Sequence, residues 1–385
     1  MKIMHTAQVR CFFLFLVAVL SANLGVVTLA VAQERPYLID LNTRTLTELG
    51  SFGGITEADA INESGQVVGW SYYSGAEGHH EAFITGPGGI GMISLGTLGG
   101  VNSRAHDINS AGQVAGWAEN GAGDLRAFIT GPKGKGMTDL GTFGGDYSFA
   151  TGINDAGQVV GQSVTASEAD IVVTGSNGEG WNTPVTGGVG ASFRINNSGQ
   201  AVGVFNSHAF VTGPDGIGIT DLGTLGGSYS EGHGINDAGQ VAGLSYTAMS
   251  DSYQHAFITG PNGEGMTDLG TLGGRASEAT GINNEGRVVG GSTTGAEGGW
   301  HAFITGPNGE GMTDLNSLVD WPDRVLLIRA VDINDAGQVL AIAQVPELEA
   351  YAMILAGLGL IGFVVWRERL VAEKRPEVQR YFHSF

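Results

Sequence analysis

The chain has 385 residues, 66 of them glycine but only 10 proline, with 42% hydrophobic residues and a formal net charge of −20. There is no Gly-x-y period, so collagen is excluded, and the apolar content suffices for a packed core. No stripe of Lys and Arg exists to neutralise phosphates, which argues against nucleic acid and anionic lipid as partners.

In chain order, Met1–Ala32 reads as a secretory signal. Lys2 and Arg10 supply the positive start, Phe12–Leu20 is an unbroken apolar run, and Ala30-Val31-Ala32 before Gln33 fits the small-x-small cleavage rule. The single cysteine, Cys11, lies inside that run, so the exported chain is expected to carry no disulfide.

After this segment the sequence repeats one phrase seven times: Ile-Asn, two small or polar residues, then Gly-Gln-Val. It begins at Ile61, Ile108, Ile153, Ile195, Ile235, Ile282 and Ile333, with Ala201 for Val in the fourth copy and Arg287 for Gln in the sixth. Strand-like content at a period of about 40–50 residues marks a propeller or a solenoid. The fifth copy shows one unit. Strand one is centred on Gly-Ile-Asn, strand two is Gln-Val-x-Gly-x-Ser, strand three is His255-Ala-Phe-Ile-Thr259, and strand four is Gly-Met-Thr-Asp-Leu. Asn236-Asp237-Ala238-Gly239 joins the first two strands, and Gly260-Pro261-Asn262-Gly263 joins the last two. The third copy is the most degenerate, with Ser176 in place of proline and TPVTGG at Thr183–Gly188.

Four strands per unit around a ring describe an all-β fold, a β-propeller. Strands one and two occur seven times, but complete third and fourth strands occur six times between Phe83 and Leu315. Two strand-like runs at Tyr37–Leu41 and Leu46–Leu49 supply the missing half. The expectation is therefore seven blades closed by a mixed blade from both ends of the chain, with six blades or an open β-solenoid as alternatives.

The phrases DLGTLGG, GINDAGQVVG and HAFI, with His208, His255 and His301 before Ala-Phe, resemble the HAF-repeat family of bacterial extracellular proteins over nearly all of Leu41–Gln344. The resemblance implies an exported β-rich repeat protein and brings no established activity.

Beyond the repeats, Ala350–Trp366 is free of charge and is read as a C-terminal transmembrane helix, with Arg367 and Arg369 following it. Positive charge after the span places residues 370–385 in the cytoplasm as a basic tail and the repeats outside. Val345-Pro346-Glu347, the apolar span and the Arg-containing end together resemble a PEP-CTERM sorting signal. That resemblance implies recognition by an exosortase-type enzyme and release to the surface or matrix. Leu348 stands where the motif has its second proline, and 370–385 extends past the usual end; a permanent membrane anchor is the alternative.

No residue set reads as catalytic, cofactor-binding or metal-ligating. His208, His255 and His301 share one position of the repeat, but ligands in neighbouring blades stand too far apart for one ion. Asp155, Asp237 and Asp335 lack the alternating ligands of a calcium loop. Trp70, Tyr72, Tyr73, Trp117, Tyr147, Tyr229, Tyr246 and Tyr253 lie in or beside the variable loops, where they either stack on sugars or pack between blades. The sequence therefore favours a non-enzymatic surface or matrix protein, an interaction or structural module. A carbohydrate-binding propeller that takes extracellular polysaccharide is the first alternative. A polysaccharide hydrolase or lyase is the second, and it predicts a non-repeated cluster of acids and His at the central channel. The regularity of the repeat argues against such a cluster.

Overall fold

The computed structural model describes residues 33–345 except 76–77, 143, 166–168, 186–192, 248–249, 296–297 and 319–324, and separately residues 359–367. Ala30, Ala32, Pro346, Glu347 and Arg369 lie outside the described residues.

Glu34–Gln344 forms a compact unit of seven four-stranded antiparallel sheets. Its first two strands, β1 (Gln33–Asp40) and β2 (Thr45–Glu48), belong to the closing blade. Blade 1 follows as β3 (Gly53–Ile61), β4 (Val67–Tyr73), β5 (His80–Ile84) and β6 (Ile93–Gly96). Blade 2 is β7 (Gly99–Ile108), β8 (Val114–Asn120), β9 (Leu125–Gly131) and β10 (Lys135–Asp139). Blade 3 is β11 (Tyr147–Ile153), β12 (Val159–Val164), β13 (Ala169–Thr174) and β14 (Trp181–Val185). Blade 4 is β15 (Arg194–Ile195), β16 (Ala201–Phe205), β17 (His208–Thr212) and β18 (Ile219–Gly223). Blade 5 is β19 (Gly226–Ile235), β20 (Val241–Thr247), β21 (Ser250–Thr259) and β22 (Met266–Asp268). Blade 6 is β23 (Ser277–Ile282), β24 (Val288–Thr293), β25 (Trp300–Thr305) and β26 (Met312–Asp314). The chain ends the ring with β27 (Leu326–Ile333) and β28 (Gln338–Val345), and the closing blade has the order β2-β1-β28-β27. Seven blades and the mixed closing blade are thus as expected.

The repeated phrase is explained by one turn. In blade 5, Asn236 Oδ1 accepts the backbone N–H of Ala238 at 3.1 Å and of Gln240 at 3.0 Å, while Asn236 Nδ2 donates to Gln240 Oε1 at 2.8 Å. Gly239 closes the turn at φ 74°, a conformation glycine adopts without strain. In the next strand a side chain on Gly243 would collide with the carbonyl oxygen of Glu231, where β19 carries a bulge against β20.

The same asparagine reaches across to the next blade. Asn62 Nδ2 donates to the carbonyl of Asn109, Asn109 to Asn154, Asn154 to Asn196, Asn196 to Asn236, Asn236 to Asn283, Asn283 to Asn334, and Asn334 back to Asn62, at 3.0–3.3 Å. Seven buried asparagines therefore form a closed ring around one mouth of the channel.

The core lies between blades. Phe83, Phe128, Phe210, Phe257 and Phe303, the aromatic position of strand three, are fully buried. Blade 3 has Val172 there, and the ring of Phe193 packs against Ile171, Val173 and Phe210 at the junction with blade 4. Serines tie neighbouring blades together: Ser103 Oγ accepts the N–H of Ala82 at 2.9 Å and donates to the carbonyl of Gly96 at 2.6 Å, and Ser148, Ser230 and Ser277 repeat the arrangement.

Residues 359–367 are helical. Among the described residues no helix is long and apolar enough to cross a membrane, and 350–358 of the expected span lie outside them.

Candidate functional site

The ring of Ile-Asn turns opens onto a polar cavity of about 320 Å³ at the channel mouth. Its rim is the residue after each asparagine: Glu63, Ser110, Asp155, Asn197, Asp237, Asn284 and Asp335. Neighbouring rim residues bond to one another. Asp237 Oδ1 accepts the backbone N–H of Asn197 at 3.0 Å, and its Oδ2 accepts the side-chain amides of Asn197 at 3.1 Å and Asn284 at 3.4 Å. Asp335 accepts from the N–H of Asn284 at 2.7 Å, and Glu63 accepts from the N–H of Asp335 at 3.1 and 3.2 Å.

Below the rim the repeat stops. The residue before each Ile is Ala60, Asp107, Gly152, Arg194, Gly234, Gly281 or Asp332, and the residue before that is Asp59, His106, Thr151, Phe193, His233, Thr280 or Val331. Of these, Asp107, Arg194, His233 and Asp332 line the cavity, and Asp59 and His106 lie beside each other on β3 and β7. The expectation that regularity leaves no non-repeated cluster is therefore corrected. The repeat fixes the turns and blade cores, while the end of each innermost strand faces the channel and is free of that constraint. The signal was present as variation immediately before an otherwise constant phrase.

Two of these carboxylates join blades. Asp107 accepts from the N–H of Ile108 and of Ile153 in the next blade, both at 2.9 Å. Asp332 accepts from Ile333 at 2.9 Å and from Ile61, across the closing seam, at 3.1 Å. Burial pushes Asp332 up to about 7 and raises Asp107, against the pull of Arg194 and these N–H groups.

Asp59 is different. Its side chain keeps 28% of its surface open, yet Oδ2 is enclosed and has no hydrogen-bond partner. His106 Nδ1 stands 3.7 Å from it, too long for a hydrogen bond. Burial pushes Asp59 up to about 7, with Arg194 the strongest opposing charge, and burial holds His106 down to about 4. Arg194 is anchored by Nη1 on the carbonyl of Thr151 at 2.7 Å. For His233 burial disfavours the charge, but Glu231 outweighs it and raises the imidazole, whose Nδ1 lies 2.7 Å from the carbonyl of Ala279.

The other sequence candidates are placed as follows. Each repeated histidine pairs inside its own blade: His208 with Asp221 and His255 with Asp268 at 2.9 Å, and His301 with Asp314 at 2.7 Å. They are not brought together, and among the described residues no group of three or more His, Cys, Asp or Glu is placed to hold a metal ion. Most aromatics pack. Trp70 touches Tyr72 and His80 at 5.2 and 5.1 Å, His80 touches Trp117 at 5.9 Å, and Arg104 lies 4.1 Å over Trp70. Tyr73 stacks on Phe52, Tyr229 contacts Tyr246, and Tyr253 accepts from Arg275 at 3.0 Å. Tyr147 is the exposed one, at 40%. Gln33 opens β1 and Val345 closes β28, so both expected processing points border the propeller.

Fold and channel together define a closed seven-bladed β-propeller with a polar, largely acidic mouth. No family model and no curated protein matches the sequence. Similar solved structures include oligogalacturonate lyase from Vibrio parahaemolyticus, with 10% identity, a TM-score of 0.52 and coverage of 82% of this chain and 98% of that one. The β-propeller domain of the Trilobed protease from Pyrococcus furiosus has 10% identity and a TM-score of 0.51 over 77% of this chain and 91% of that one. The latter has an open velcro topology, whereas this ring is closed by β1 and β28. At such identity these likenesses show the fold alone.

Proposed function

We propose that this chain is an exported surface or matrix-associated protein of the HAF-repeat type that acts by binding, with extracellular polysaccharide as its ligand. The observation that supports binding over catalysis is the state of the channel carboxylates. Asp107 and Asp332 each have both oxygens held by backbone N–H groups of two blades. A carboxylate so engaged serves as a joint between blades. The polar cavity above them, at about 320 Å³, falls at the small end of ligand sites and suits a sugar unit.

Location rests on the two terminal signals. Cleavage before Gln33 would leave β1 whole, and cleavage near Pro346-Glu347 would leave β28 whole. In this reading the apolar span 350–366 holds the chain in the membrane until an exosortase-type enzyme cuts it. Intact-mass measurement of the protein from membrane and medium tests this. The expected species starts at Gln33 and, in the medium, ends near Pro346. A full-length soluble cytoplasmic protein overturns it.

The non-repeated pair Asp59 and His106 favours a second reading, a hydrolase or lyase acting on polysaccharide. New reducing ends or unsaturated products from a polysaccharide panel, lost in Asp59→Asn, would establish it. Binding without turnover supports the first reading.

A further inference from the structure

We propose that the outer edge of blade 1, strand β6, is an interaction surface that pairs antiparallel with β6 of a second copy of this chain, about a two-fold axis. This surface is separate from the channel and independent of what the channel binds.

The outer strand of each blade is hydrogen-bonded on one side only, and an open edge is a template for another strand unless something blunts it. Charge blunts most edges of this ring. The residue after the turn between strands three and four is Lys135 in blade 2, Glu179 in blade 3, Glu264 in blade 5 and Glu310 in blade 6. The Thr-Asp pair that follows puts Asp139, Asp221, Asp268 and Asp314 on the outer strands of blades 2, 4, 5 and 6. In blade 3, β14 contains Pro184, which has no N–H to offer. In the closing blade, β2 ends on Glu48, paired with Arg35 at 2.7 Å.

Blade 1 has none of these guards. Ile90 stands at the Lys or Glu position, Ile93 at the Thr position and Ser94 at the Asp position. Ile90 is 69% exposed and Ile93 57%. No charged residue occurs from Ala82 to Ser103, in a chain of net charge −20. The difference reaches the neighbouring strand. In blades 4, 5 and 6 the aspartate pairs with the histidine of strand three. In blade 1 Glu81 replaces that histidine and accepts from Ser94 and from Tyr73. Its side chain is only 18% open, so the acid nearest the edge is covered. Blade 4 is intermediate: Ile217 is exposed, but Asp221 remains and is 63% open.

The occupant follows from charge. Two copies of an acidic chain repel wherever their acids meet, and β6 is an edge where they meet without charge. A basic partner would find its counter-charges elsewhere. A two-fold axis sets the same uncharged segment on both sides, so the isoleucines of each copy are covered by the other. Four strand residues per copy bury less than the roughly 1,200–2,000 Å² of a stable interface, so the pair is weak, with a Kd on the order of 10–100 μM.

The test is sedimentation equilibrium of the full chain in density-matched detergent over about 1–300 μM, with backbone hydrogen exchange at both ends of that range. The expected result is a dimer at the upper end, with exchange of residues 91–96 slowed at least about fivefold. Both effects are lost in the double variant Ile90→Glu, Ile93→Thr. It writes the residues of blades 5 and 6 into blade 1, and circular dichroism confirms that it is folded. Ile217→Glu changes neither effect. A monomer throughout overturns the proposal. So does a dimer that survives the double variant or leaves exchange of 91–96 unchanged, which is association through the apolar span 350–366. Loss of the dimer in Ile217→Glu means head-to-tail pairing of β6 with β18 and overturns the two-fold.

Discussion

The side-chain amide of Asn334 donates to the backbone carbonyl of Asn62 across 3.0 Å, although 272 residues separate them in sequence. This bond completes the ring of asparagines at the seam where the chain's two ends share a blade. Asn334 also organises its own turn, accepting from the N–H of Gln338 at 2.8 Å and donating to Gln338 Oε1 at 2.9 Å. Asn334→Ala removes the ring bond and leaves buried backbone groups unpaired, an expected loss of about 2–4 kcal/mol. Thermal denaturation checks it. Because the seam is closed by strand pairing and not by a continuous chain, the same change at Asn196 is expected to cost less.

The weakest link of the ring has an identifiable cause. Asn283 to Asn334 is the longest of the seven, at 3.3 Å, and it is the copy in which Arg287 stands in place of glutamine. Arg287 turns instead to Glu285 at 2.8 Å, a largely exposed pair. Arg287→Gln restores the partner that Asn236 finds in Gln240. The expected gain is about 0.5–1 kcal/mol, since surface ion pairs contribute little and a buried hydrogen bond contributes about 1 kcal/mol. A higher unfolding midpoint in urea at unchanged slope is the expected outcome.

The channel sets the pH dependence of stability. Asp59 and Asp332 titrate near 7 when folded, well above a free carboxylate, so the folded state holds protons that the unfolded chain has lost. Their contribution is greatest below the unfolded value and declines as pH rises to about 7. His106, held down to about 4, works in the opposite direction, losing stability as pH falls below its unfolded value. Two carboxyls against one imidazole leave a protein more stable at pH 5 than at pH 8. Asp59→Asn removes the cost of a buried charge. It is expected to raise stability at pH 8 by about 2 kcal/mol, discounted for the open part of the side chain, and to change it little at pH 5. Melts at the two pH values measure the difference.

What the sequence made legible is what repeats. The Asn, Gly and Gln of each phrase are the turn, and the missing half-blade located β1 and β2 beside β28. The channel was opaque for the complementary reason. Asp59, His106 and Arg194 stand at positions where each blade carries something different, so no period reveals them. Only ring closure brings Asp332 against Ile61 and Arg194 toward Asp59, and no local pattern carries that information. In the sequence Trp70 and Trp117 read as packing between blades with a sugar platform as the alternative, and their contacts with His80 place them in the junction between blades 1 and 2.

The rim of the mouth has an arithmetic consequence. Around it, acid and neutral residues take turns: Glu63, Ser110, Asp155, Asn197, Asp237, Asn284, Asp335. Seven is odd, so strict alternation must fail once, and it fails where Asp335 meets Glu63, at the join of the chain's two ends. Burial raises the proton affinity of Glu63, and the charge of Asp335 adds to it. Gain of one neutral-bearing unit at the seam would restore the alternation, and loss of any neutral-bearing unit would double the clash. The frustrated pair therefore marks the seam chemically and gives an otherwise near-symmetric ring a fixed origin.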